Sequence, residues 1–245
     1  MKEITQRRDL MIDCISVENM RLSDQQTIAN LVPSLELMGR AAEGVYRAAT
    51  WQGPVAIVAG SGNNGGDGFA LACILQKAQI PCTVFTLSQR LSNDSAHYAN
   101  LAQAAGVPIL PFTPECLEGF RVVVDCLLGT GFQGDIRENY RIAIEAINAS
   151  SAYVVSVDIN SGMNGDTGDC MIAVRSDLTV TIGFVKNALI QENAGRYMKR
   201  LVCVDIGIRL AQEENKITTD PAEANGTNIF LCPTWLDMNI IPVKT

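Results

Sequence analysis

The chain has 245 residues, 47% hydrophobic and 18% charged, enough apolar material for one sizeable domain with a continuous core. Its 26 acidic residues against 19 basic ones give a formal net charge of −7, which argues against a nucleic-acid partner held through its phosphate backbone. The opening residues MKEITQRRDLMIDC lack the apolar stretch of a signal peptide, and no uncharged run reaches membrane-spanning length, so a soluble cytoplasmic protein is expected.

In chain order, SDQQTIANLVPSLELMGRAAEGVYRAA reads as two helices within 20–49. Ser23 with Gln26 makes a capping box for the first, and Ser34 after Pro33 starts the second. Short β-branched runs follow at Val55–Ala59, Cys82–Leu87, Val122–Asp125, Val154–Asp158, Leu178–Ile182 and Leu201–Asp205. Most are continuously apolar, as strands covered on both faces should be. Between them, Asp67–Ala78, Asp94–Ala105 and Glu138–Ala149 carry helical apolar spacing, and Gly106 sits where a helix-ending glycine belongs. This alternation predicts a doubly wound α/β domain over 1–208, a mostly parallel sheet with helices on both faces. From Arg209 the pattern becomes polar and then apolar around Ile229–Trp235, so 209–245 is expected as a tail on the surface, not a second domain. The eight cysteines include no C-x-x-C pair and His97 is the single histidine, which favours buried reduced thiols over zinc or a disulfide framework. His97 itself reads as a surface residue of the Asp94–Ala105 helix.

In a doubly wound sheet, ligands bind beyond the carboxyl ends of the strands, and three loops here occupy that position. The first, GSGNNGGDG at 60–68, contains a G-x-G-x-x-G match, a weak signal because the following strand ends TLSQR without the acid that holds an adenosine ribose. Its strand–loop–helix setting still suits an anion, with Asp67 either capping the helix or holding a hydroxyl. The second, DCLLGTGFQGD at 125–135, carries Asp125 at the end of a buried strand and three open glycines. The third, VDINSGMNGDTGD at 157–169, delivers Asp158 to the sheet edge with Ser161 close behind. Each loop also has a purely turn-forming reading. Asn64, Asp125 and Ser161 together offer an amide oxygen, one carboxylate and one hydroxyl, a set suited to a hard cation of low charge.

Asn63-Asn64-Gly65-Gly66-Asp67, Asp125 with Gly129-Thr130-Gly131, and Asp158-Ile159-Asn160-Ser161-Gly162 with Thr167-Gly168 resemble, in this order, the NAD(P)H-hydrate epimerase family of the YjeF N-terminal type. The segments LMGRAAEGV, DLTVTIGFVKNAL and VDIGI extend the likeness over roughly Ile15 to Ile208. The resemblance implies a Rossmann-like domain, a homodimer, and interconversion of the R and S forms of hydrated NADH and NADPH (NADHX and NADPHX). A separate ADP- or ATP-dependent dehydratase would then repair the S form, since this chain is too short to include one. Carried over, Asn63, Asn64, Gly65, Gly66, Asp67, Gly129, Thr130, Gly131, Phe132, Gln133, Gly134 and Asp135 would contact the hydrate. Asp158 would be the acid/base at the reacting ring, and Asn64, Asp125 and Ser161 would hold a potassium ion. The family usually has proline where this chain has Asn160, so a looser turn is expected there. Lys186, in GFVKNAL, reads equally as a phosphate contact or loop cap and as a solvated or structural lysine, and is left outside the site. The alternative reading is a non-catalytic nucleotide-binding or scaffold module of the same fold.

Overall fold

The computed structural model describes residues 11–214 and 216–218. Its elements run β1 (Met11–Ile15), α1 (Val17–Asn30), α2 (Ser34–Ala48), β2 (Val55–Ala59), α3 (Asn63–Lys77), β3 (Cys82–Thr86), α4 (Asn93–Ala104) and β4 (Ile109–Pro111). They continue with β5 (Val122–Cys126), α5 (Glu138–Ala149), β6 (Tyr153–Val157), β7 (Leu178–Ile182), β8 (Val185–Lys186), β9 (Leu201–Val204) and β10 (Lys216–Thr218). Seven strands form one sheet in the order β4-β3-β2-β5-β6-β7-β9, and every neighbouring pair is parallel. Strand order reverses between β2 and β5, which makes that junction the switch point of the sheet.

The apolar strands bury both faces. In β2, Val55, Ile57 and Ala59 join the core under α2, α3 and α4, while Ala56 and Val58 join a smaller core under α5. The period-two alternation of a strand thus feeds two separate layers, giving the three-layer architecture expected from the runs. Among the described residues, no helix is long and apolar enough to cross a membrane.

Three local expectations change. The first helix starts at Val17, not after Ser23, because Ser16 is the cap: its hydroxyl accepts from the Asn19 N–H. Ser23 instead lies buried inside α1, where its hydroxyl accepts the Ala211 N–H at 2.9 Å. α3 starts at Asn63 instead of Asp67. Gly62, in an extended conformation, turns the chain straight into the helix, so Asn63–Gly66 form its first turn and Asp67 is not a cap. A second small sheet, β10-β1-β8, had no clear signal in its short strands.

Beyond β9 the chain turns back over α1. The Arg209 N–H bonds Thr27, the Gln212 carbonyl accepts from Asn19, and Glu214 accepts from both the Ser16 N–H and its hydroxyl. The apolar segment at 229–235 lies outside the described residues.

Candidate active site

The three glycine-rich loops meet at the switch point. The Gly60 N–H donates to the Cys126 carbonyl at 2.9 Å, and a Cβ on Gly60 would lie 1.9 Å from the Leu127 oxygen. No side chain fits there, so the loops after β2 and β5 are pressed backbone to backbone. Gly129 allows a similar close approach further along the second loop. A Cβ there would lie 2.9 Å from Asp158 Oδ2 and 3.3 Å from Asn64 Cβ, so a single residue of the second loop touches both of the others.

Asp158 follows β6 directly, with its N–H on the Val180 carbonyl. The Ile159 N–H reaches back to the Val157 carbonyl at 2.9 Å, and Asp158 has φ +70°, which makes it the centre of a γ-turn. That conformation is rare and strained for a residue with a Cβ, and such strain gathers at functional sites. The turn aims the carboxylate along the sheet edge. There Oδ2 accepts the Thr130 N–H at 3.0 Å and Oδ1 accepts from Lys186 Nζ at 2.6 Å. Lys186 is fully buried, and its ammonium also donates to Thr181 Oγ1 at 3.0 Å and to the Ile182 carbonyl at 2.7 Å. All three ammonium protons are therefore used, and the Asp158 side chain, 15% exposed, supplies the counter-charge.

Asn64 is buried, and neither its amide nitrogen nor its amide oxygen has a hydrogen-bond partner. A buried amide left so costs a few kcal/mol, about 1–3, unless something else meets it. Asp125 is fully buried too, and its carboxylate is met only by neutral donors: the hydroxyls of Ser156 and Ser161 and the N–H groups of Leu127 and Ser161. Burial raises the Asp125 carboxyl, while the bonds from Ser161, Ser156 and Leu127 pull it back down. Orphaned amide oxygen, under-compensated carboxylate and hydroxyl make a donor set fitting a singly charged hard cation.

Asn160 does not loosen its turn. Its amide nitrogen donates to the Val174 carbonyl, Ser176 Oγ and the Tyr197 carbonyl, and its oxygen accepts from Thr179 Oγ1 at 2.7 Å. A fully satisfied polar network pins the segment between Asp158 and Ser161 where a proline ring would have fixed φ.

These loops, α1 and α2 enclose a cleft of about 800 Å³. Asn63, Asn64, Asp67, Gly129, Thr130, Gly131, Phe132, Gln133, Asp135 and Asp158 line it. Gly65 and Gly66 are buried in the first turn of α3, and Gly134 is at the exposed tip of the second loop. Asp125, near the end of β5, and Ser161, in the loop after β6, are both buried. His97 is exposed on α4. Two residues of the cleft region were not expected. Lys186 was marked only by a charge inside the apolar run GFVKNAL, a position that demands a partner. Asp24, from α1, also lines the cleft and had no motif to mark it. Burial pushes the Asp24 carboxyl from the ordinary 3.8 up to about 6, with Lys186 lowering it and Asp158 raising it. Asp67 is raised well above its ordinary value, first by burial and then by the Asp158 and Asp24 carboxylates, against the pull of Lys186.

Fold and cleft together define a Rossmann-like α/β protein with a cleft at the switch point of its sheet. Residues 34–188 match the family described as YjeF-related protein N-terminus. The chain belongs to this family. It is 35% identical over 199 residues to the NAD(P)H-hydrate epimerase of Limosilactobacillus fermentum, covering 78% of this chain and 95% of that one. It is 34% identical over 196 residues to the bifunctional NAD(P)H-hydrate repair enzyme Nnr of Coxiella burnetii, covering 77% of this chain but 40% of the relative. In fold it is similar to the yeast protein YNL200c, with a TM-score of 0.69 at 20% identity, over 84% of this chain and 100% of that one.

Proposed function

We propose that this chain is an isomerase that interconverts the R and S forms of NADHX and NADPHX, so that a separate ADP- or ATP-dependent dehydratase can restore the cofactor. The observation that carries this reading is the Lys186–Asp158 pair, set on a strained turn at the mouth of the cleft where all three loops converge. A scaffold module has no need of a buried charge aimed into a cleft. The relatives' names, an epimerase and a bifunctional repair enzyme, supply the substrate.

Asp158 is held as a fixed carboxylate by an ammonium and a backbone N–H. It faces the nicotinamide ring and stabilises the planar cationic centre formed when the ring hydroxyl departs, before water returns from either face. The substrate phosphates lie near the N-terminus of α3, whose free N–H groups and dipole favour an anion. A potassium ion fits Asn64, Asp125 and Ser161, and it would supply a fixed positive charge that orders the loops. The same reading carries a cytoplasmic homodimer, which light scattering of the purified protein checks.

The deciding experiment mixes purified protein with R-hydrate in potassium buffer and follows the S form by chromatography. Folded protein that leaves the R form unchanged overturns the epimerase reading and favours a binding module.

A further inference from the structure

Five carboxyl groups line one cleft, and three of them that act on one another, Asp24, Asp67 and Asp158, differ in what holds them. Both oxygens of Asp158 are occupied, one by the Lys186 ammonium and one by the Thr130 N–H. Asp24 comes from α1 and Asp67 from α3, the helices that wall the cleft. Neither makes a side-chain hydrogen bond to another described residue that would consume its proton or its lone pairs.

The chemistry needs what Asp158 does not offer. A hydroxyl on a ring carbon leaves far more readily as water than as hydroxide, so a proton must reach its oxygen as the C–O bond breaks. A carboxylate locked to an ammonium is built to accept and to stabilise positive charge, not to donate. Resting on the epimerase reading, we propose that Asp24 is a further catalytic residue, giving its proton to the departing ring hydroxyl and taking one back from the water that returns.

In the forward step the Asp24 carboxyl proton passes to the hydroxyl oxygen and the C–O bond breaks. The bonding pair leaves with the oxygen as water, and the ring nitrogen lone pair delocalises into the ring. In the return step a water oxygen bonds the ring carbon from either face, and its extra proton goes to the Asp24 carboxylate. Nothing is oxidised or reduced, and the balance closes on an isomerisation.

The groups around Asp24 agree with this division. Lys186 and Asp158 act on it from the sheet, and Asp67 faces it from α3. On its own helix Arg21 is paired with Glu18. Asp94, Asp135 and Arg137 line the same cleft from the other elements. With burial lifting it to about 6, Asp24 is able to give and retake a proton near working pH. Asp67, raised above its ordinary value by burial, lines the same cleft from α3 as a substrate-binding group.

The test measures kcat and KM across pH for wild type, Asp24→Asn, Asp24→Glu and Asp67→Asn, with melting curves for each. The wild-type rate should decline as pH rises through about 6, because the protonated form acts. Asp24→Asn should lower kcat by about 10²–10⁴-fold with KM little changed, and should lose that decline. Asp24→Glu should recover some of the rate, and Asp67→Asn should act mainly on KM. Asp24→Asn with wild-type kcat and pH profile overturns the proposal. If that variant does not fold, the wild-type profile decides, and a flat profile around pH 6 overturns it. Wild type that fails to convert the hydrate overturns the epimerase reading and this proposal together.

Discussion

Replacing Asp24 by asparagine has a consequence for stability that is separate from catalysis. The folded chain holds this carboxyl proton at about 6, against 3.8 ordinarily. A raised folded value helps the folded state only at low pH. The benefit is full below the unfolded value and is lost as pH rises through about 6, above which the buried charge is a penalty. At about 1.36 kcal/mol per pKa unit the penalty is at most about 3 kcal/mol, and solvent reaching the half-buried side chain reduces it to about 1–2 kcal/mol. Asparagine keeps the shape and removes the charge, so Asp24→Asn should be more stable than wild type at pH 8. For a domain of this size about 1 kcal/mol moves Tm by about 2–4 °C, so a rise of about 2–8 °C is expected at pH 8, fading towards pH 4. Melting both proteins by circular dichroism at pH 4, 6 and 8 reads this directly. A variant no more stable than wild type at pH 8, or a gain that ignores pH, refutes the assignment of a buried, proton-holding Asp24. A residue that weakens the fold at working pH, and whose loss stabilises it, is being kept for something other than folding.

Lys186→Met breaks a buried pair from one side and should cost about 3–5 kcal/mol in urea unfolding, so an unchanged midpoint would show that the pair does not bear on the fold. Gly129→Ala places a methyl group 2.9 Å from Asp158 Oδ2, so kcat should drop sharply while stability falls by only about 1–3 kcal/mol. Equal loss of both would mean that the loop is structural. Potassium should raise the wild-type Tm above that in lithium by mass action, and Asn64→Ala should abolish the difference. Identical melting of both proteins in the two salts would sink the cation site.

The central sheet was legible because strands buried on both faces must be apolar at every position. Val55–Ala59 and Leu178–Ile182 fall where their runs do. The strand ends carried the loops, and so Asp125 and Asp158 arrive where a sheet-edge site needs them. Illegible features depend on what lies across space. Nothing local says that Ser23 bonds Ala211, or that Lys186 turns inward to Asp158 across 28 residues. The start of α3 lies earlier than its sequence suggests because its first turn is built from asparagine and glycine, poor helix formers, and Gly65 is needed there because a Cβ would lie 2.2 Å from the Gly60 oxygen. Asn160 shows a further limit. A missing proline reads as lost rigidity, whereas the three carbonyl and hydroxyl acceptors that replace it come from segments far along the chain.

The stretch that the family model matches runs from 34 to 188. It carries the glycine loops, Asp158 and Lys186, but it stops short of α1 and of the returning strap at 209–214. Asp24 stands on α1, and that helix is tied down by Arg209, Ala211, Gln212 and Glu214. One wall of the cleft is thus assembled from segments on either side of that stretch, brought together by hydrogen bonds. A substitution in either segment would therefore shift that wall without touching the glycine loops.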